Sequence, residues 1–315
     1  MLNIGLASKG RIQDQTYKYL SAIGLPVEIA KGRSYAASIK ALPNAQIWLL
    51  PAGEIAKRIH SGALHIGITG HDLLLETDDL SDRVDLLEPL GFARANLVVA
   101  VPNSWIDVAS IADLREVFAD IRVRHGRAPQ VATKYTRIVR EHFLSEGISD
   151  FRLVADPGAT EAAPLRGIAD VIVDITTSGE TLRANDLKPL SSIILKSEAW
   201  LAASLREDIW DDMTFGTLGR IMERVTSHKD DRVMVKFEAP SDLSSLRQAV
   251  TERFGLSIKI DRERDEAGFY ASKSVAFEIA SFLQQHTGKP VGVFQPKFIL
   301  DEASAALKSF RKKVV

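Results

Sequence analysis

No cysteine occurs in the 315-residue chain. That absence excludes a disulfide framework, a thiolate metal site and a cysteine nucleophile. Neither sign of charge is in excess: 40 Lys and Arg stand against 41 Asp and Glu, a formal net charge of −1. Such a balance gives no electrostatic ground for general nucleic-acid or membrane binding, so any anion site has to be assembled locally. No apolar run approaches the roughly 20 residues that span a bilayer. The amino terminus, from Met1 to Arg11, lacks the charged-then-apolar pattern of a signal peptide. The expectation is a cytoplasmic chain. Internal repeats and low-complexity tracts are missing as well. His60, His65, His71, His125, His142, His228 and His286 show no metal spacing, and a surface or satisfied histidine is the better reading of each.

What is present reads as an ordinary globular composition, 45% hydrophobic and 26% charged. Its length exceeds one compact core and implies two or three domains. Short apolar runs alternate with amphipathic stretches, the pattern of α/β architecture. Strands are expected at 2–7, 46–50 and 64–69, with helices carrying Tyr17, Leu20 and Ile23, then Ile55 and Ile59. A second unit starts with the strand 96–101, continues with helices near 110–118 and 136–146 and strands near 130–134 and 151–155, and ends in the almost continuously apolar strand 169–175. Residues 190–203 are expected to return to the first unit. The domain expectation is therefore one lobe from 1–94 plus 184–210, a second from 95–183, a linker helix over 211–227 and a carboxy-terminal domain over 228–315.

The carboxy-terminal part changes character. Leu218, Ile221, Met222 and Val225 form one helical stripe. A strand at 232–238, a helix over 243–254 capped by Ser241 or Asp242, strands at 256–260 and 268–271, a helix over 274–286 and a strand at 290–296 follow. That is β-α-β-β-α-β, the ferredoxin-like order.

The stretch richest in chemistry runs from Asp170 to Leu182. A buried strand delivers Asp174 to its carboxyl end, and Thr176, Thr177, Ser178, Gly179, Glu180 and Thr181 follow at a helix start. Such a turn aims several backbone N–H groups at one point and adds the partial positive charge of a helix terminus. Its hydroxyls add donors, and Gly179 lets the backbone approach a ligand closely. Asp174 accepts hydrogen bonds only, which suits ribose hydroxyls rather than phosphate. An acceptor beside an anion nest fits a sugar phosphate. By itself the turn could equally be a well-capped helix start.

The longer stretch decides between these. Gly158, Glu161, Ala163, Pro164, Gly167, Ala169 and Asp170, followed by Asp174, Ser178, Gly179, Thr181 and Leu182, closely resemble the signature of the ATP phosphoribosyltransferase family. Ser8-Lys9-Gly10-Arg11, Gly67-Ile68-Thr69-Gly70-His71-Asp72 and Ala132-Thr133-Lys134-Tyr135 resemble further family segments in order and spacing, so the likeness covers roughly 1–205. Pro51 stands where many members carry an arginine three residues before the acid equivalent to Glu54; that contact is either missing or supplied elsewhere, with Arg33 and Lys57 as candidates.

The resemblance implies two lobes like those of type II periplasmic binding proteins, with a ferredoxin-like α+β domain after them. It implies transfer of phosphoribosyl from phosphoribosyl pyrophosphate to N1 of ATP, the first step of histidine biosynthesis. Asp174 and Lys9 are implied as catalytic residues. Asp174 and Thr176 to Thr181 would bind phosphoribosyl pyrophosphate, while Lys9, Arg11, Arg33, Asp72 and Tyr135 would bind ATP, with Tyr135 stacking on adenine. Mg²⁺ is expected on the substrate phosphates rather than in a protein cage of Glu161, Asp170 and Asp174. Histidine is expected as feedback inhibitor and a homo-oligomer as the assembly, with a separate regulatory subunit left open. The rival class is a non-catalytic two-lobed binding module. A receptor of that kind would carry a signal peptide, and a transcription regulator a helix-turn-helix ahead of its lobes; a first strand starting at residue 2 fits neither.

Overall fold

The computed structural model describes residues 1–29, 36–77, 82–154, 160–229, 231–240, 242–261, 266–299 and 304–314. They form two compact units, Met1–Gly219 with Ala305–Val315, and Arg220–Ser304.

The first unit opens with β1 (Leu2–Ala7), α1 (Gly10–Ala22), β2 (Glu28–Ile29), β3 (Ala36–Ser38), β4 (Ala45–Leu50), α2 (Ala52–His60), β5 (Ile66–Gly70), α3 (His71–Thr77) and β6 (Val84–Pro89). The chain then crosses to β7 (Ala95–Pro102), α4 (Ile111–His125), β8 (Gln130–Thr133), α5 (Thr136–Ser145), β9 (Arg152–Val154), β10 (Val171–Thr176), α6 (Glu180–Ala184) and β11 (Leu187–Ser197). It returns through β12 (Ala199–Ser204) and leaves along α7 (Asp212–Lys229).

Two sheets result, with strand orders β2-β3-β4-β1-β5-β12-β6 and β11-β7-β10-β8-β9. In each, three parallel strands (β4-β1-β5 and β10-β8-β9) meet one antiparallel strand that has come across from the other lobe, β12 in the first and β7 in the second. This exchange of strands is the two-lobed α/β arrangement that the sequence resemblance implies. The sequence pattern fits it: β1, β5 and the first half of β10 are buried almost throughout, as strands covered on both faces must be. Ala7, Leu50, Ile55, Ile59 and Leu64 fill a core in the first lobe; Leu97, Val99, Val131, Phe118, Phe143 and Val171 fill one in the second. Each such side chain larger than alanine contributes about 1.5–3 kcal/mol by leaving water.

Two boundaries differ from expectation. Residues 187–197 do not return to the first lobe: β11 pairs antiparallel with β7, from Leu187 against Pro102 to Ser197 against Ala95. Only β12 goes back, so the chain changes sheets at Glu198, with no glycine or proline to mark the place. The tail also returns. The expectation puts 228–315 in one domain, whereas the final helix belongs to the first unit, where the buried Phe310 packs edge-on against Trp210 with ring centroids 5.0 Å apart.

The second unit holds β13 (Arg232–Glu238), α8 (Ser244–Phe254), β14 (Lys259–Asp261), β15 (Glu266–Ser272), α9 (Ala276–Thr287) and β16 (Val291–Phe294); the tail helix is α10 (Ala305–Val314). Its antiparallel sheet has the order β14-β15-β13-β16, the ferredoxin-like topology. Val235, Phe237 and Phe269 face Leu246, Val250, Ile279 and Leu283 in its core. Ser241 lies outside the described residues, while Asp242 accepts a hydrogen bond from the Ser244 N–H at 2.9 Å. No helix among the described residues is long and apolar enough to cross a membrane.

Candidate active site

The carboxyl ends of β8 and β10 place the central groups. These strands are parallel with Thr133 level with Val173, so the next residues, Lys134 and Asp174, come out side by side. Lys134 Nζ lies 3.3 Å from Asp174 Oδ1, with the lysine side chain 53% exposed and the aspartate 16%. The Ile175 N–H also donates to Asp174 Oδ1 at 2.7 Å. Asp174 is thus a sheltered acceptor whose charge is already balanced by an exposed cation.

The loop after β10 folds on its own hydroxyls. Thr176 Oγ1 accepts the Gly179 N–H at 3.0 Å, and Ser178 Oγ accepts the Glu180 N–H at 3.4 Å. Both oxygens thereby keep their O–H hydrogens for an incoming anion. Gly179 has φ +74°, left-handed backbone that a Cβ would strain by about 1–2 kcal/mol. Arg183 Nη2 donates to the Ser178 carbonyl at 3.0 Å and braces the turn. The helix that follows opens at Glu180 and has only 5 residues, so its macrodipole is small and anion binding rests on the loop's amides and hydroxyls.

Together these groups line a cavity of about 280 Å³: Lys134, Glu161, Asp174, Ile175, Thr176, Thr177, Ser178, Glu180, Thr181 and Leu182. Every residue expected to hold the sugar phosphate lines it except Gly179, which shapes the turn. Lobe I reaches the same loop through Arg11, whose Nη1 donates to Thr177 Oγ1 at 2.7 Å and to the Arg94 carbonyl at 3.3 Å. Lys9 is the exposed residue that opens α1. Behind the strand, Asp170 is gripped by Arg127 at 2.6 and 2.7 Å and by the Gln130 N–H at 2.7 Å. Burial alone would raise its pKa, but these donors hold the carboxyl below the ordinary carboxylate value.

The other expected ATP contacts fare differently. Arg33 and Gly158 lie outside the described residues. Tyr135 is 1% exposed and Asp72 4%, and the Tyr135 hydroxyl donates to Asp72 Oδ2 at 2.7 Å. A ring in that position belongs to the core and offers no face for adenine, so the stacking expectation is corrected: both residues are interior. Pro51 precedes α2, and Glu54 is paired with Arg58 one turn on, at 2.9 Å. Lys134 lies in the family-like segment 132–135, but nothing in that segment marks it as a partner of Asp174. Glu161, a residue of the family-like signature, lines the same cavity as Asp174.

A family model described as HisG, ATP phosphoribosyltransferase, matches residues 51–226. An ATP phosphoribosyltransferase of Caulobacter vibrioides is 39% identical over 308 residues, 97% of this chain and 95% of that protein. One of Rhodopseudomonas palustris is 38% identical over 322 residues, covering 98% of both. Among solved structures, a chain of the ATP phosphoribosyl transferase (HisG:HisZ) complex from Thermotoga maritima superposes with a TM-score of 0.54. That chain is 21% identical, and the match covers 72% of this chain and 97% of that one, a likeness of fold.

Proposed function

The chain belongs to the ATP phosphoribosyltransferase family, and we propose that it carries out the family's reaction in the cavity beside Asp174. The enzyme transfers phosphoribosyl from phosphoribosyl pyrophosphate to N1 of ATP with release of pyrophosphate, the first step of histidine biosynthesis. The observation that carries the site assignment is the pairing of a ribose-type acceptor, Asp174, with the hydroxyl-rich turn that follows it in one cavity.

In this reading the amides and hydroxyls of Thr176 to Thr181 hold the 5′-phosphate, and Asp174 accepts from the ribose hydroxyls. Adenine N1 is already a nucleophile, so no activating serine, cysteine or histidine is required. Attack at C1 of the ribose displaces pyrophosphate, and positive charge develops on the sugar as the bond to it breaks. Asp174 then sits where a negative charge strengthens its contacts in the transition state, which lowers the barrier. Arg11, from lobe I, brings to the loop the cation that phosphates need, and the exposed Lys9 two residues before it is assigned to the same task. Rate comes from holding two substrates in line and from fixed charge.

Magnesium fits this donor set as an ion carried by the substrate phosphates. Asp174 and Glu161 line one cavity, and no cluster of three candidate ligands exists among the described residues. It would neutralise the departing pyrophosphate. The ferredoxin-like unit at 220–304 is assigned to histidine inhibition and homo-oligomer assembly, supported by its separate core.

Titration of phosphoribosyl pyrophosphate with Mg²⁺ into the purified chain tests the assignment. The wild type should bind saturably and Gly179→Val should not, because a β-branched residue cannot hold φ +74° without strain. Unchanged affinity in a folded Gly179→Val protein would remove the loop from the reaction.

A further inference from the structure

Asp72 begins a set of contacts that the reaction does not use. It lies in α3 of lobe I and is buried. Both carboxylate oxygens are taken by hydroxyls distant in sequence: Ser197 Oγ donates to Oδ1 at 2.6 Å and the Tyr135 hydroxyl to Oδ2 at 2.7 Å. The Asp72 N–H donates in turn to Ser197 Oγ at 3.1 Å. Tyr135 belongs to lobe II, immediately before α5, and Ser197 ends β11, two residues before the chain resumes in lobe I. Burial, then the charge of Asp72 and its hydrogen bond, push the Tyr135 hydroxyl far above its ordinary pKa, so it remains a donor. The backbone makes room for the arrangement at Gly70, where a Cβ would sit 2.3 Å from Asp72 Oδ1.

One turn along α3 the same joint is repeated. α5 has no side-chain cap of its own. Glu76 supplies it from lobe I: Oε1 accepts from Thr136 Oγ1 at 3.0 Å and from the Arg137 N–H at 3.0 Å, and Oε2 accepts from the Ile138 N–H at 3.1 Å. Arg137 Nε closes the exchange by donating to the Leu75 carbonyl at 3.1 Å. A carboxylate on a helix start adds favourable charge as well as hydrogen bonds.

From this geometry we infer that Asp72, Tyr135, Ser197 and Glu76 form a clamp that fixes the angle between the two lobes, and that Tyr135 and Glu76 are positioning residues for the transfer. The inference rests on the assignment of the loop after β10 to phosphoribosyl pyrophosphate. That loop lies wholly on lobe II, whereas Lys9 and Arg11 come from lobe I. The 2.7 Å contact from Arg11 to Thr177 spans the two lobes, so it depends on the angle between them. A displacement between two bound substrates is sensitive to such an angle, because a shift of about 1 Å at the reacting atoms can cost about a hundredfold in rate.

A cysteine-free chain makes the test clean. Lys18→Cys on α1 and Ala184→Cys on α6, both exposed, allow one pair of spin labels across the lobes. In this background Tyr135→Phe removes one donor without changing volume. The interlobe distance distribution should broaden, kcat should fall about tenfold or more, and KM for phosphoribosyl pyrophosphate should stay within about twofold, since the loop itself is intact. Glu76→Gln, which turns an amide against the helix start, should do the same in smaller measure and stands in if Tyr135→Phe fails to fold. A residue that merely packs would lower the melting temperature and leave kcat per folded molecule unchanged. An unchanged distance distribution, or a broadened one with wild-type kcat, overturns the inference. The distance measurement needs no substrate, so a wild type that fails to bind phosphoribosyl pyrophosphate would count against the loop and not against the clamp.

Discussion

Replacing Asp174 by asparagine separates a catalytic acceptor from a structural one. In the fold this carboxylate meets Lys134 at 3.3 Å and the Ile175 N–H at 2.7 Å. Asparagine keeps an oxygen for the amide and loses the ion pair. Lys134 is 53% exposed, so solvent screens the pair and its loss should cost at most about 1 kcal/mol. For a unit of this size that lowers the melting temperature by about 2–4 °C. Turnover should suffer more. A hydrogen bond to a charged group is worth about 1.5–3 kcal/mol, and at 1.36 kcal/mol per tenfold this means a loss of about 10- to 150-fold in kcat/KM. Initial rates of phosphoribosyl-ATP formation and a thermal melt on one preparation decide the matter. Wild-type kinetics with only a lower melting temperature would make Asp174 a strand-end brace and refute its role with the ribose.

The second unit offers a test of regulation. Cutting the chain after Ser227 would also remove α10, whose Leu307 lies beside Gly219, with 3.6 Å from its Cδ2 to the position of a Cβ there. A short Gly/Ser linker replacing 220–304 is therefore the better deletion. Activity retained without histidine inhibition supports regulation by this unit, retained inhibition rejects it, and smaller inactive species indicate an assembly role. A pH dependence follows from three histidines. Burial holds His65, His71 and His142 below the ordinary 6.5, so each is neutral in the fold and gains a proton on unfolding as the pH falls below 6.5. The unfolded state then binds more protons, and stability falls toward acid. His65 accepts the Asn3 N–H at Nδ1 and faces the Ile209 carbonyl with Nε2. Melting temperature should drop between about pH 7 and about pH 5.5, and His65→Gln should flatten the slope; a flat profile in the wild type contradicts the assignment.

Much of this was readable from residues. The run Val171–Val173 reads as a covered strand, and Thr176, Thr177, Ser178 and Gly179, just beyond Asp174 and Ile175, read as a turn at a helix start whose chemistry the longer stretch from Gly158 makes legible. Local patterns of this kind survive folding because neighbours in sequence decide them. What could not be read depends on other elements. The change of sheet at Glu198 is invisible because β11 and β12 run on without a breaker. Tyr135 follows a strand, where an aromatic serves equally as ligand platform or core, and its partner Asp72 lies 63 residues away. The neighbourhood of Lys134 and Asp174 is set by the register of β8 on β10, which no single segment encodes. Phe310 alone gave no sign that the tail returns to Trp210.

The most direct measurement is product formation by the purified chain alone. With ATP, phosphoribosyl pyrophosphate and Mg²⁺, mass spectrometry should show one phosphoribosyl group attached to the adenine of ATP, with pyrophosphate released in equal amount. Binding of phosphoribosyl pyrophosphate without any adduct on ATP would contradict the account, and would leave a two-lobed binding protein in place of an enzyme.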